Sequence, residues 1–446
     1  MINKHSTPSP VGKANVLLER LSNPNKPTIH RFFDTSPISP SGLYCALFEL
    51  PSDTSMPKFG DYGKVVVTEI KTRKVVWVGK TAAWDTQLGA QVQWGKSDSE
   101  LLFNQMDIEN WEPFGVIVDI FNDLIFKLSG SIYMASPNKS IAATPCLKRI
   151  SRVQGGYGVI VPTSQIPINS GFCSNDGVKI VSLKTGRSHL LISHSEINER
   201  LPNLFSRFSN RKGGLYTFHT KFNPQGTRLM VVLRWVDENS QPGVTDSCLI
   251  TMDVSGDNLY VAVDFDMWKG GHHPNWLADG VSIVMNQRDH SKTESLLKIK
   301  RFVAKVIKKI KIFKKIGIRY FPDGDRLVFA CFDFMGQNFK ILAPGCLGSG
   351  HPSMDLNQEF LLTDAYLREE VAYPDNSVPL RLISVSSYHE IELVRVPVRP
   401  KFIGKRNVFR IDPHPVFCMD DTAIIFNFSD SGVRQVMMCK EFFLND

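Results

Sequence analysis

FNPQGTRLMVVL, residues 222–233, carries an aromatic residue into an Asn-Pro-Gln-Gly turn and leaves it on an unbroken apolar run. Pro presets φ for a tight turn and Gly supplies its left-handed corner, so the segment reads as a β-hairpin. The same pattern recurs at SPSGLYCALF (39–48), WGKSDSELLF (94–103), ASPNKSIAA (135–143), WLADGVSIVM (276–285), FPDGDRLVFA (321–330), MDLNQEFLLT (354–363) and FCMDDTAIIF (417–426). Most copies are followed by a second hairpin: VVVTEIKTRKVVWV (65–78), VKIVSLKTGRSHLLI (178–192), CLITMDVSGDNLYVAV (248–263) and LRLISVSSYHEIELVRV (380–396). Two hairpins in succession make a four-stranded blade, and blades spaced roughly 40–60 residues apart indicate a propeller, whose closure leaves only short edges. The fold expected is all-β, a seven-bladed β-propeller, with eight blades as the alternative and a pair of β-sandwiches as the competing architecture.

The expected organisation is an N-terminal extension over residues 1–30 and a single propeller domain over 31–446. An insertion over about 286–349 within blade five holds the FPDGDR hairpin and a short basic segment. Helical periodicity is confined to Ala14–Leu21 and to that basic segment.

A chain of 446 residues with 42% apolar and 10% aromatic content can bury a large core. Its net charge of +8 is concentrated: nine Lys or Arg and no acid lie between Lys298 and Lys315, and the remainder is close to neutral. No zinc-finger, helix-turn-helix or aromatic RNA-binding signature accompanies them, so no nucleic-acid partner is expected. Ile299, Phe302, Val303, Val306, Ile307, Ile310 and Phe313 recur at helical spacing opposite the lysines. Over 298–315 this gives a basic amphipathic helix of the kind found on anionic membrane surfaces; a helix packed on the propeller flank and an edge strand with gatekeeper lysines fit the same residues. No apolar h-region opens the chain and no run is long enough to span a bilayer, so a protein without a cleaved signal is expected. Eight dispersed cysteines with no CxxC pair suit a reducing cytoplasm.

Aligning the repeats on their turns exposes the chemistry. Seven residues before the turn glycine stand His219 (Gly226) and His273 (Gly280), and the same phase gives His351 before Gln358 and His414 before Asp421. The other copies hold Thr35, Gln91, Ile132 and Gly317. Composition alone would put fewer than one histidine in these eight positions. Equivalent positions of different blades lie at one radius around the axis, so these imidazoles should meet at one end of the channel, as a metal or acid/base site requires. The plainer alternative is that a His or His-Pro opening an inner strand hydrogen-bonds the neighbouring blade.

Several stretches resemble the bacterial seven-bladed propellers related to oligogalacturonate lyases and, more distantly, ulvan lyases. They are FFDTSPISPSGLYCALF (32–48), WDTQLGAQVQWG (84–95), GGYG (155–158), SNDGVKIVSLKTGR (174–187), FHTKFNPQGTRLMVVLRW (218–235), GHPS (350–353) and DPHPVF (412–417). The resemblance implies metal-dependent β-elimination on uronate-containing glycans, with an acidic oligosaccharide as substrate and a divalent ion, Mn-like or Zn-like, as cofactor. It maps His219 and Arg234 onto proton abstraction and carboxylate contact, and His273, His351 and His414 onto the metal, with Gln91 as a candidate carboxamide ligand. A neutral imidazole takes a proton near physiological pH, and a guanidinium offers a carboxylate a planar fork. Tyr157, in the GGYG stretch, is a candidate leaving-group acid, and Arg152, Arg228 and Arg434 are candidate rim contacts. Whether the chain is an enzyme stays open at this level, the alternative being a non-catalytic propeller that binds a glycan or protein partner, in polysaccharide biosynthesis or at a membrane surface.

Overall fold

The computed structural model describes residues 12–240, 245–289, 326–367, 369–397, 408–429 and 432–442. The strands form seven sheets, each built on successive antiparallel strands. Blade one spans 28–81, blade two 93–127, blade three 134–193, blade four 213–263, blade five 272–342 and blade six 353–397. Blade seven takes its three inner strands from 416–440 and its outermost strand, Leu17–Arg20, from the other end of the chain. The protein is thus a seven-bladed β-propeller, and the eight-bladed and sandwich alternatives fall away.

The turn alignment holds. Gly42, Gly226 and Gly280 turn with φ of 80°, 69° and 67°, and Lys139, Gln358 and Asp421 take the same left-handed corner at 52°, 60° and 65° without being glycine, whereas Asp98 in blade two does not take it. The turns that look irregular in sequence therefore keep the geometry and accept the steric cost. Middle strands such as Arg228–Asp237 are buried on both faces because blades cover one another, which is why they read as continuous apolar runs rather than alternating ones.

Three expectations are corrected. Residues 12–29 are not an extension: Leu17–Arg20 pairs antiparallel with Gln435–Lys440, Gly12–Lys13 runs parallel to Glu390–Pro397, and Thr28–Ile29 opens blade one. Ala14–Leu21, helical by periodicity, is therefore strand in its second half, since the open edge of blade seven offers ladder bonds to a segment too short to hold a helix without tertiary packing. Third, Leu327–Asp333, the apolar half of the FPDGDR copy, is no added hairpin. It pairs with Ser282–Arg288 and then with Lys340–Leu342, supplying the third strand of blade five. The basic segment 298–315, and with it the membrane-surface expectation, lies outside the described residues.

Between the second and third strands of blade three the chain inserts helix α1 (Leu147–Val153), and between blades three and four helix α2 (His194–Arg200). Leu147, Ile150 and Val153 of α1 pack into one cluster with Tyr157, Phe218 and Trp276, and this fixes the 154–158 loop over one end of the axis.

Candidate functional site

Four imidazoles meet at the axis, as the aligned phase implies. The His273 and His351 rings stack with centroids 3.9 Å apart, and His414 stands edge-on to His351 at 4.3 Å. Phe32 binds the group together, its ring 4.8 Å from His414, 5.4 Å from His219 and 5.9 Å from His351. Gln91, His273 and His414 all hold positive φ (59°, 56° and 49°), a conformation that costs energy outside glycine and clusters at functional sites.

Three of the imidazoles have the surroundings of ligands. His351 Nδ1 lies 2.9 and 3.0 Å from the two carboxylate oxygens of Asp364, which fixes the tautomer that leaves Nε2 with its lone pair. His273 Nδ1 donates to the Gly350 carbonyl at 2.8 Å, with the same result. Both Nε2 atoms lie 3.3 Å from the Tyr366 hydroxyl. His414 is buried, and neither ring nitrogen is hydrogen-bonded among the described residues. Asp412, two residues before it, faces the same point: ligand atoms of His351, Asp412 and His414 all lie within 4.8 Å of one another. Orphaned buried nitrogens beside a carboxylate and a carboxylate-oriented imidazole suit a divalent first-row ion. Burial holds His273 and His414 well below the ordinary imidazole pKa, reinforced in each by the neighbouring His351, so both stay in the neutral, ligating form.

His219 enters the axis by a register shift. The pairing of Gly213–Phe222 with Arg228–Asp237 slips between Thr217 and His219, leaving Phe218 as the extra residue. Such a bulge re-aims side chains. His219 Nδ1 meets the Tyr133 hydroxyl, while Phe218 lies beneath the Arg234 guanidinium at 3.8 Å. Burial, then Lys221 and Arg234, keep His219 neutral.

Above this centre opens a cavity of about 670 Å³. Its wall includes Tyr157, Phe218, Arg234, His272, His273, Tyr366, Arg410 and Asp412. Arg234 donates Nη1 to Gln154 Oε1 at 3.2 Å and pairs with no carboxylate among the described residues; burial lowers its pKa to about 10. Arg410, by contrast, is held by Asp412 at 2.9 Å. Tyr157 faces the cavity, and burial keeps its phenol protonated. On the other side of the histidines the axis is plugged. Phe32 and Phe33 are fully buried there, with Asp34 held by Lys221 at 2.8 Å and Arg31 at 2.9 Å.

The remaining predicted residues are placed elsewhere. The Gln91 carboxamide oxygen accepts Arg31 Nε at 2.9 Å, so it serves the plug. Thr35 joins the same network through Arg31, and Ile132 is apolar core. Arg434, expected at the rim, is buried and donates to the Thr86 carbonyl at 2.6 Å, clamping blade seven to the 84–89 loop. Arg228 pairs with Asp253 and stacks over Phe334 on the flank of blade four, and Arg152 stands half-buried in α1. Sequence reasoning missed Asp412, Asp364, Tyr366, Tyr133 and Arg410. Only Asp412 carried a signal, in the Asp-Pro-His spacing that puts two donors on one side of a strand entry.

No family model matches this sequence, and no curated protein does. Among solved structures the chain is similar to an oligogalacturonate lyase in complex with manganese, at 12% identity and a TM-score of 0.59 over 97% of this chain and 96% of that one. It is also similar to oligogalacturonate lyase from Vibrio parahaemolyticus, at 10% identity and a TM-score of 0.57 over 96% and 98% of the two chains. At these identities the likeness is one of fold, a seven-bladed propeller.

Proposed function

We propose that this chain is a metal-dependent lyase that cleaves uronate-containing oligosaccharides by β-elimination. The observation that carries the reading is the junction of two sites: a guanidinium, Arg234, that pairs with no carboxylate among the described residues, in the wall of a large cavity, above a buried His273–His351–His414–Asp412 group in which the His414 nitrogens have no partner among those residues. His351, His414 and Asp412 would hold the ion, with His273 beside them. When bound, it would supply Lewis-acid stabilisation of the charge that develops on the substrate carboxylate.

The chain's own residues divide the rest of the work. Arg234, gripped by the Phe218 face and Gln154, presents its fork to the uronate carboxylate and lowers the cost of carbanion character at C5. His219, neutral and oriented through Nδ1 by Tyr133, accepts the C5 proton at Nε2. The electron pair forms the C4–C5 double bond as the C4–O bond breaks, and Tyr157, protonated at neutral pH, returns a proton to the departing oxygen. Eight cysteines without a disulfide suit a reducing compartment, and we place the activity in the cytoplasm.

One observation favours the second reading, a glycan-binding propeller without turnover. His219 is buried against Phe218, with ring centroids 3.8 Å apart, and it is Phe218 that forms the wall. The test is to strip the protein with a chelator, reload it with Mn²⁺ or Zn²⁺, and follow the ultraviolet absorbance of unsaturated product over a panel of uronate oligosaccharides. The lyase reading expects product with the loaded wild type and none with His219→Ala at unchanged metal content. Acidic glycan bound without product, or a fully active His219→Ala, selects the binding propeller.

A further inference from the structure

Residues 84–89, WDTQLG, join the last strand of blade one, Val75–Thr81, to the first strand of blade two, Gln93–Trp94. All six are buried, yet the segment lies outside the cavity wall. Connections ordinarily run over the surface, where water satisfies their polar groups. Asp85, Thr86 and Gln87 are enclosed instead, so their partners must come from the protein, and they come from two segments of the site.

The first is the GGYG stretch. Asp85 Oδ1 accepts Gln87 N at 2.9 Å and Leu88 N at 2.6 Å, which closes the loop on itself, and Oδ2 accepts Gly158 N at 2.9 Å. Gly158 directly follows Tyr157. It holds φ of 83°, and a Cβ there would lie 2.5 Å from the Leu147 carbonyl oxygen of α1, so the stretch is fitted tightly between α1 and the Asp85 carboxylate. The second segment carries Arg410 and Asp412. Gln87 Nε2 donates to Val408 O at 2.9 Å and to Arg410 O at 3.2 Å, and Thr86 Oγ1 donates to Val408 O at 2.5 Å. Val408 and Arg410 lie outside any strand, so these side-chain donors take the place of ladder bonds.

We propose that the 84–89 loop is the positioning element of the site, with two separable duties: Asp85 sets Tyr157 against the departing oxygen, and Gln87 sets Asp412 against the ion. The first duty rests on the lyase reading above; the second rests on the metal group alone. The duties separate because their chemistry differs. A general acid matters in proportion to the basicity of the oxygen it protonates, so a misplaced Tyr157 is felt by a sugar alkoxide and hardly by a phenoxide that departs without a proton. A misplaced carboxylate ligand weakens ion binding whatever the substrate.

The test compares Asp85→Asn, whose single oxygen cannot serve both Gly158 and its own loop, with Gln87→Leu, which removes both donors at similar volume. Each full-length variant is checked for folding by its Tm, then measured for Mn²⁺ affinity by calorimetry. Turnover is followed on a uronate disaccharide and on a uronate carrying 4-nitrophenoxide at C4. Asp85→Asn should lower kcat on the disaccharide about 10- to 100-fold, while kcat on the nitrophenoxide substrate and the Mn²⁺ dissociation constant stay within about threefold of wild type. Gln87→Leu should raise the Mn²⁺ dissociation constant about tenfold and, at saturating Mn²⁺, affect the two substrates in equal proportion. Should Asp85→Asn not fold, Asp85→Ser takes its place, since it keeps an acceptor for the loop and none for Gly158. A loop that serves stability alone would lower Tm and move the leaving-group dependence and the Mn²⁺ affinity together in both variants, and that result overturns the proposal. Gln87→Leu with wild-type Mn²⁺ affinity overturns the second duty. A wild type that binds Mn²⁺ but cleaves neither substrate ends the lyase reading and the first duty with it, and the Mn²⁺ affinity of Gln87→Leu still decides the second.

Discussion

His194 offers a direct measurement of how burial controls the imidazoles of this propeller, away from the candidate metal group. Its side chain is fully buried in α2, with Nε2 3.0 Å from Thr217 Oγ1, two residues before His219. Two effects oppose each other: burial disfavours the imidazolium, and Asp176, 3.8 Å from Nδ1, favours it. Burial wins, because Asp176 is already engaged by Asn169 at 2.7 Å and by Arg149 at 3.5 Å, and the pKa falls from 6.5 to about 4. The unfolded chain then binds a proton that the folded one refuses, so stability is complete above pH 6.5 and is lost as pH falls through that value toward 4. The loss from this one residue is about 2 kcal/mol at pH 5, tending to about 3.4 kcal/mol below pH 4. His194→Asn keeps a polar group toward Thr217 and cannot titrate. Urea unfolding at pH 8 should show the variant about 1 kcal/mol less stable, from the altered packing and hydrogen bond. At pH 5 that deficit should vanish or reverse, a change of about 2 kcal/mol between the two pH values. An unchanged deficit would refute the burial argument, and a deficit that grows at pH 5 would mean that Asp176 holds the imidazolium after all.

Other outcomes follow from the axis. Replacing His351 and His414 together by Ala should abolish stoichiometric Mn²⁺ or Zn²⁺ binding by elemental analysis. It should also erase the stabilisation that the ion gives the wild type, about 2.7 kcal/mol at one hundred times its dissociation constant, readable as a lost shift in Tm. Arg234→Lys keeps the charge but not the planar stack on Phe218, and kcat/KM on the cleaved uronate should fall about 10- to 100-fold; an unaltered value would remove Arg234 from carboxylate contact. Asp34→Asn strands Lys221 in the plug and should cost about 3–5 kcal/mol in urea unfolding, while Lys221→Met on that background should recover much of the loss. Equal destabilisation of the single and double variants would show that the ion pair is not what holds the plug.

The propeller was legible because its signal is repeated and local. Turn residues at fixed offsets from apolar runs must recur once per blade, and even the irregular corners at Gln358 and Asp421 keep the left-handed conformation that the alignment assigns them. Rotational symmetry then converted a sequence phase into a spatial meeting, which is why His219, His273, His351 and His414 could be named together. What symmetry does not govern was illegible. Leu17–Arg20 completes blade seven because closure of the ring leaves an edge that any compatible segment can fill, and nothing within those residues encodes the partner 420 positions away. Gln91 shares the histidine phase yet faces Arg31, since the plug that competes for it comes from the extended loop joining the first two strands of blade one. Asp364 and Tyr366 reach the site from the connection between the second and third strands of blade six, and Arg410 from the segment between blades six and seven, whose lengths and paths follow no period. Their chemistry arises from burial and from neighbours that only the closed ring brings within 3–4 Å, so the pKa values, the orphaned nitrogens of His414 and the unpaired charge of Arg234 are properties of the assembled axis.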